Sequence, residues 1–240
     1  MKQIQGSITR PGDPPATTAA LHVEVVADVV CPFCFLGKRR LDTALKAVQG
    51  PSEVSWYPFQ LNPDIPDGGL SLDEYLSLRF GKPENVRPVL DELAEQGRHE
   101  DIRFRFDRIS RVPNTMRAHQ VMHLAEREGA DQSVLADELM RAYFERGEDL
   151  GDREVLAELA GRHGLDTAAA IAVMDDDRAR QAVQSREAQV RASGLSGVPG
   201  FLLNRRLLVV GAQETDALVN AFDRAMFGEG TDQFESPALH

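Results

Sequence analysis

The only two cysteines of this 240-residue chain stand two residues apart, in the segment Cys31-Pro32-Phe33-Cys34. An apolar, β-branched run (Leu21 to Val30) leads into them, and Phe35 to Val48 reads as the helix that follows. The chain therefore has to deliver a strand directly into a helix, with both sulfurs at the junction. A helix start presents unpaired N–H groups and the positive end of the macrodipole. A thiol placed there gives up its proton more readily, because those donors stabilise the thiolate. The second thiol, one turn on, can close the pair into a disulfide or release it, which is the chemistry of thiol–disulfide exchange.

Charge and hydropathy narrow the alternatives. The net charge is -11 and no cluster of Lys and Arg stands out, so the chain offers no face for tracking phosphates and nucleic acid is excluded as a partner. No apolar stretch approaches the roughly 20 residues needed to cross a bilayer, so no membrane partner is expected. The length suits one domain with a large insertion, or two small domains. Met1 to Ala20 is interrupted by Gly6, Pro11, Gly12, Pro14 and Pro15. It lacks the apolar core of about 7–15 residues that a secretory leader requires, and reads as a disordered tail on a cytoplasmic protein. In that compartment a lone cysteine pair seldom forms a permanent bridge, which leaves redox chemistry or metal binding.

Hydrophobic periodicity places the pair in a larger order. Leu21 to Ala27 reads as a buried strand and Val54 to Phe59 as a second, with the Phe35 to Val48 helix between them. Gly50-Pro51 stops that helix and Asn62-Pro63 ends the second strand. From about Ser71 to Ser193 the pattern is helical: Leu72 to Phe80, Glu84 to Gln96, Thr115 to Glu128, Gln132 to Arg146, Arg153 to His163, Thr167 to Met174 and Arg178 to Ala192. Phe104 to Ile109 reads as a short extended piece. The end returns to β, with Gly200 to Asn204 and Leu207 to Val210 as a hairpin, and Glu214 to Phe227 as a closing amphipathic helix. The order is β-α-β, a helical block, then β-β-α.

Two competing readings of the cysteines, structural zinc and a fortuitous pair of unreactive thiols, are weak. Structural zinc takes about four ligands, commonly from two pairs, and there is no second cysteine pair. His119 and His123, four apart in a helical stretch, could supply two nitrogens, but such residues more often belong to a helix surface or a core; no metal site is expected. A second constellation, Ser196-Gly197-Val198-Pro199-Gly200, follows a helix and precedes a strand. Phosphate-cradling loops have the reverse order, so that use is set aside. A proline directly before a strand cannot donate to the ladder, and a cis bond at Val198-Pro199 would turn the chain sharply and leave backbone groups free for a partner.

Several separated segments carry a family resemblance. They are DVVCPFCFLGKRRLDTAL (Asp28 to Leu45), WYPFQLNPDIP (Trp56 to Pro66), PNTMRAHQVMHLA (Pro113 to Ala125), LMRAYFERGEDL (Leu139 to Leu150), GVPGFLLN (Gly197 to Asn204) and VGAQE (Val210 to Glu214). The chain resembles the DsbA-like branch of the thioredoxin superfamily, and within it the FrnE-type proteins grouped with 2-hydroxychromene-2-carboxylate isomerases. The likeness runs from about Leu21 to Phe227. It implies an α/β thioredoxin fold, 21–63 with 194–227, and a large all-helical insertion at 64–193, flanked by tails at 1–20 and 228–240. It implies Cys31 as the exposed nucleophile, Cys34 as the buried resolving thiol, a cis Pro199 facing the cysteines, and Val198 lining the substrate site.

The expected activity is dithiol–disulfide exchange on protein or small-molecule disulfides. The redox-active Cys31-Cys34 pair serves as its own reagent, with no tightly bound cofactor and with glutathione as a candidate co-substrate. The alternative is a glutathione-dependent isomerase or kappa-class transferase; those relatives usually carry serine where Cys31 stands. A homodimer is left open. Two departures from the family pattern matter. DsbA-type oxidants carry a histidine at the place of Phe33, and Phe33 cannot donate a hydrogen bond, so a milder oxidant is expected. Many thioredoxins carry a buried acid six residues before the first cysteine; here that place is Val25, and Glu24 faces the other way. Asp28 is the nearer acid, and its expected role is to cap the turn into the helix. Pro32 and Phe33 join Val198, Pro199 and Asn114 as candidate substrate contacts. Phe59, Met116 and His119 are placed at the cleft border, with Phe144 and Trp56 assigned to packing.

Overall fold

The computed structural model describes residues 20–82, 85–195 and 197–228; the expected terminal tails fall, except for Ala20 and Gly228, outside them. In chain order the first elements are β1 (Leu21–Ala27), α1 (Pro32–Leu45), β2 (Ser52–Pro58), β3 (Leu70–Ser71), α2 (Leu72–Phe80) and α3 (Arg87–His99). A short strand β4 (Arg111–Val112) precedes α4 (Met116–Glu128), α5 (Gln132–Arg141), α6 (Arg153–Arg162), α7 (Thr167–Met174) and α8 (Asp177–Ala192). The chain closes with β5 (Gly200–Leu203), β6 (Leu207–Val210) and α9 (Thr215–Phe227).

Four strands form one sheet in the order β2-β1-β5-β6. β1 runs parallel to β2, with Leu21 opposite Ser52 and Ala27 opposite Pro58. Its other edge pairs antiparallel with β5, Val23 opposite Leu203 and Val26 opposite Gly200. A strand crossing back in parallel needs a long connection, and α1 supplies it. This is a thioredoxin fold, with α2 to α8 inserted between β2 and β5. Side chains alternate across β1: Leu21, Val23, Val25 and Ala27 join Phe35 and Leu41 of α1 and Leu218 and Phe222 of α9 in the main core. Val26 points the other way and packs with Phe59, Val190 and Leu195. The end of α8 therefore covers the second face of the sheet.

Asp131, Asp152, Asp166 and Asp176 cap four of the inserted helices through their carboxylates. Phe35 of α1 stacks on Phe144, with ring centroids 6.0 Å apart, and meets Phe104 edge-on at 5.9 Å. These rings join the cysteine-bearing helix to the insertion.

Several boundaries differ from those read in the sequence: α1 ends at Leu45 rather than Val48, α3 runs over Arg87–His99 rather than Glu84 to Gln96, and three further differences have a local reason. Helix α1 begins at Pro32 rather than Phe35, because Cys31 itself is the cap. The helix expected over Gln132 to Arg146 ends at Arg141 and widens into a π-helical turn, Ala142–Arg146. There the Phe144 carbonyl turns outward to accept the Arg105 N–H at 2.8 Å. The stretch expected to be extended, Phe104 to Ile109, instead makes a 3-10 turn at Phe106–Arg108. Stacking of Phe104 on Phe106 at 5.0 Å, and of both edge-on against Phe144, folds it inward. The pairing of β3 with β4 was not legible from two-residue segments.

Phe144 is almost completely buried at the centre of this aromatic cluster. Phe144→Ala should cost about 3–5 kcal/mol of unfolding free energy, read as a lower urea midpoint.

Candidate active site

Cys31 has extended backbone angles (φ -93°, ψ 116°), the geometry of a helix cap, and Pro32 opens the helix behind it. Its Sγ accepts the Cys34 N–H at 3.4 Å. The Cys31 carbonyl takes the Cys34 and Phe35 N–H groups at 3.0 and 3.1 Å. The donors of the first turn thus converge on one residue, and a sulfur does the work that an oxygen does in most caps. Both cysteines are free thiols.

The loop before β5 lies over this sulfur. The Val198-Pro199 bond is cis, and the Val198 carbonyl is 4.0 Å from Cys31 Sγ. The Pro199 carbonyl accepts the Gly211 N–H at 2.8 Å, tying the loop to the far end of β6. Close approach of loop to helix depends on Gly37. A Cβ there would sit 2.8 Å from Pro199 Cγ and 3.2 Å from Phe201 Cζ, inside contact distance. Sequence reasoning passed over Gly37. Its signal was a glycine in mid-helix, which costs about 1 kcal/mol relative to alanine and asks for a packing reason.

The expectation that Cys31 is exposed does not hold: it is 3% exposed, because the Val198 loop and the first turn of α1 close over it. What reaches solvent is Phe33, 43% exposed, beside half-buried Pro32 and Val198. Cys34 is buried, and its thiol is held protonated well above the ordinary range. Loss of hydration is the main cause, followed by the hydrogen bond and charge of Cys31. The main chain of Asp28 opposes the rise and the Asp28 carboxylate adds to it.

Asp28 is not the cap of α1. Its carboxylate is buried, Oδ2 accepting the Leu61 N–H at 2.8 Å. Its Oδ1 stands 3.3 Å from His119 Nε2 on α4, close but not aligned as a hydrogen bond. The short path from β1 to α1 leaves no slack to reach back to the first turn, whereas Leu61 and His119 close directly over the side chain. His119 is a buried neighbour of Asp28, and it also borders a narrow crevice between α4 and β2 that Trp56, Tyr57 and His123 line. Among the described residues no group of three or more His, Cys, Asp or Glu is placed to hold a metal.

Asn114 is committed internally. Its Oδ1 accepts from Gln60 Nε2 and the Met116 N–H, and its Nδ2 donates to the Ile65 carbonyl at 2.6 Å. It fastens the 60–65 loop to the start of α4, which leaves no carboxamide group free for a substrate. Gln60, Glu187 and Arg191, missed in the sequence, fix the same loop: Glu187 accepts the Gln60 N–H and Arg191 donates to the Gln60 carbonyl. Arg191 also lies 4.1 Å over the Phe59 ring. Met116 and Phe144 are buried, as is Trp56, whose indole N–H donates to Ser133.

With this geometry in place, the comparisons with known proteins are consistent. The model of the DSBA-like thioredoxin domain matches residues 22–223, and the chain belongs to that family. A probable DsbA oxidoreductase of Streptomyces coelicolor, solved by crystallography, is 30% identical with a TM-score of 0.79, covering 91% of this chain and 94% of that one. An uncharacterized protein of Bacillus subtilis, YwbO, is 28% identical over 186 residues, 76% of this chain and 86% of its own length. The cytosolic disulfide reductase DsbM of Pseudomonas aeruginosa, solved with glutathione, shares the fold at 19% identity and a TM-score of 0.54, covering 85% and 95%.

The raised proton affinity of buried Cys34 has a consequence for stability. The native thiol keeps its proton where the unfolded thiol, near pH 8.5, has lost it, so the native state binds more protons in that window. The stability of the reduced protein should therefore fall as pH rises above about 8.5. Denaturant titrations across pH should show a shallower fall in Cys34→Ser, which has no thiol to ionise.

Proposed function

We propose that this chain is a dithiol–disulfide oxidoreductase of the FrnE type, acting on protein or small-molecule disulfides. The observation that carries the reading is the Cys31 sulfur at the head of α1, accepting the Cys34 N–H and facing the Val198 carbonyl. Cys31 is the nucleophile. Its thiolate attacks a substrate disulfide, forming a mixed disulfide and expelling one substrate thiolate. Cys34 then attacks Cys31 Sγ, closing the Cys31-Cys34 disulfide and releasing the second thiolate. Two electrons pass from the protein dithiol to the substrate disulfide; run backwards, the protein oxidises a substrate dithiol.

Pro32, Phe33 and Val198 form the apolar surround that a client meets, with the cis Pro199 itself buried. In this reading the unit formed by 21–63 and 194–227 holds the chemistry and 64–193 shelters it. Glutathione is the small-thiol partner we favour for resetting the pair; DsbM, which shares the fold, was solved with glutathione bound.

Insulin reduction, followed with and without glutathione, tests the assignment. Cys31→Ser should abolish turnover, and full activity in that variant would instead point to the isomerase alternative. Cys34→Ala should accumulate mixed disulfides on Cys31 that reductant releases. Because Phe33 places no hydrogen-bond donor beside Cys31, the reduction potential should lie below the value of about -120 mV typical of DsbA, measured by equilibration with glutathione.

A further inference from the structure

Cys31 and the Val198 carbonyl above it lie 167 positions apart in the chain, so contacts between distant segments have to set their separation. The sheet does part of this, since the Pro199 carbonyl takes the Gly211 N–H at 2.8 Å. The rest falls to one face of α1. Gly37 and Arg40, three apart in the helix, are neighbours on its surface, and both meet the segment that follows β6. A Cβ at Gly37 would stand 3.5 Å from Ala212 Cα as well as 2.8 Å from Pro199 Cγ. Arg40 Nη1 donates to the Ala212 carbonyl at 2.7 Å.

The Arg40 guanidinium is engaged on every side, and its side chain is only 6% exposed. Nε donates to Glu100, just past the end of α3, at 2.9 Å, and Nη2 lies 2.8 Å from the carboxylate of Glu214, the residue that opens α9. A planar fork can hold donors in three directions at once, which an ammonium on a flexible stem cannot. The segment it grips is braced within itself. Gly211 takes the left-handed region (φ +85°), the Gln213 N–H closes onto the Gly211 carbonyl at 2.9 Å, and the Gln213 carboxamide donates to the Val210 carbonyl at 2.8 Å. A shift of Ala212 therefore passes through one peptide unit to Gly211, across a hydrogen bond to Pro199, and on to the Val198 carbonyl, 4.0 Å from Cys31 Sγ.

We propose that Arg40 is a positioning residue for the exchange reaction: acting through Ala212 and Gly211, it holds the Val198-Pro199 loop over Cys31 and so sets what reaches the sulfur. The inference rests on the disulfide-exchange reading above. A residue that served only to tie α3 to α9 would need the two carboxylates alone; the bond to the Ala212 carbonyl is what joins the guanidinium to the loop. The helix that presents Cys31 at its head thus also carries, on a later turn, the strut that fixes the cover of Cys31. Withdrawing the strut frees the loop to lift. A small electrophile then meets the sulfur more often, whereas a bulky disulfide loses the surround against which Val198 orients it. The two effects run in opposite directions.

In a Cys34→Ala background Cys31 is the only thiol. Its alkylation by iodoacetamide can be followed at a pH where the rate has levelled, so that access rather than ionisation is compared. Arg40→Met in that background should raise the levelled rate about tenfold, as local opening becomes easier. With both cysteines present, the same substitution should raise the KM for insulin about tenfold while kcat changes less than about twofold. Arg40→Lys, which keeps the cation without the fork, should shift both readouts by less. Gly37→Ala leaves the guanidinium in place and drives a methyl group toward Pro199; it should move both readouts the same way, although alanine favours the helix. A role confined to tying α3 and α9 together would lower the melting temperature and leave the alkylation rate and KM of the folded protein native, and that result overturns the proposal. Should Arg40→Met fail to fold, Arg40→Lys and Gly37→Ala carry the two readouts, and native values in both overturn it equally. If the native protein does not reduce insulin, the exchange reading falls, and the alkylation rates still decide whether Arg40 holds the loop.

Discussion

Helix α1 begins on a sulfur. Most helices satisfy their first N–H groups with a side-chain oxygen or water. Here the Cys34 N–H is shared between Cys31 Sγ and the Cys31 carbonyl, and that carbonyl takes the Phe35 N–H as well. The arrangement ties backbone and chemistry together, since the atom that ends the orphaned donors is the atom proposed to attack a disulfide. The rest of the molecule is arranged around that cap. Parallel β1 and β2 set the entry of the chain, and Gly37 lets the Pro199 loop come down on it. The stack of Phe35 on Phe144 holds α1 against the insertion.

Much of this was legible in the residues. Period-two apolar patterning gave β1 its bounds, and two residue types, cysteine and proline, marked the junction and the loop opposite it. Three inserted helices, α6 to α8, begin on an aspartate followed by helical periodicity, and their limits were read to within a residue. What was hidden depended on contacts between distant segments. Asp28 looks like a cap because it precedes a helix; only the approach of Leu61 and His119, from 33 and 91 positions later, assigns it elsewhere. Cys31 looks exposed because it opens a helix; only the Val198 loop buries it. Asn114 resembles a free carboxamide until Gln60 and Ile65 are brought to it.

The insertion is more than a cover. Glu187 and Arg191, paired with each other on α8, both bind the Gln60 main chain, the ion pair of Arg40 with Glu100 joins α1 to the end of α3, and Arg40 also donates to the Ala212 carbonyl. Such pairs are worth little where solvent reaches them. Arg40 is the exception, since its side chain is 6% exposed and pairs with both Glu100 and Glu214, so its removal would leave the mostly buried Glu100 carboxylate without that partner.

Both sulfurs are buried, Cys34 the more completely, and in the proposed exchange that sets the order of bond formation. A client, an oxidant or an alkylating electrophile then forms its first bond at Cys31. Adducts that a thiol can displace are then within reach of a protected sulfur held one turn away, so the fold carries its own means of shedding a partner that fails to react further. Only damage that leaves no sulfur–sulfur bond to cleave would be final.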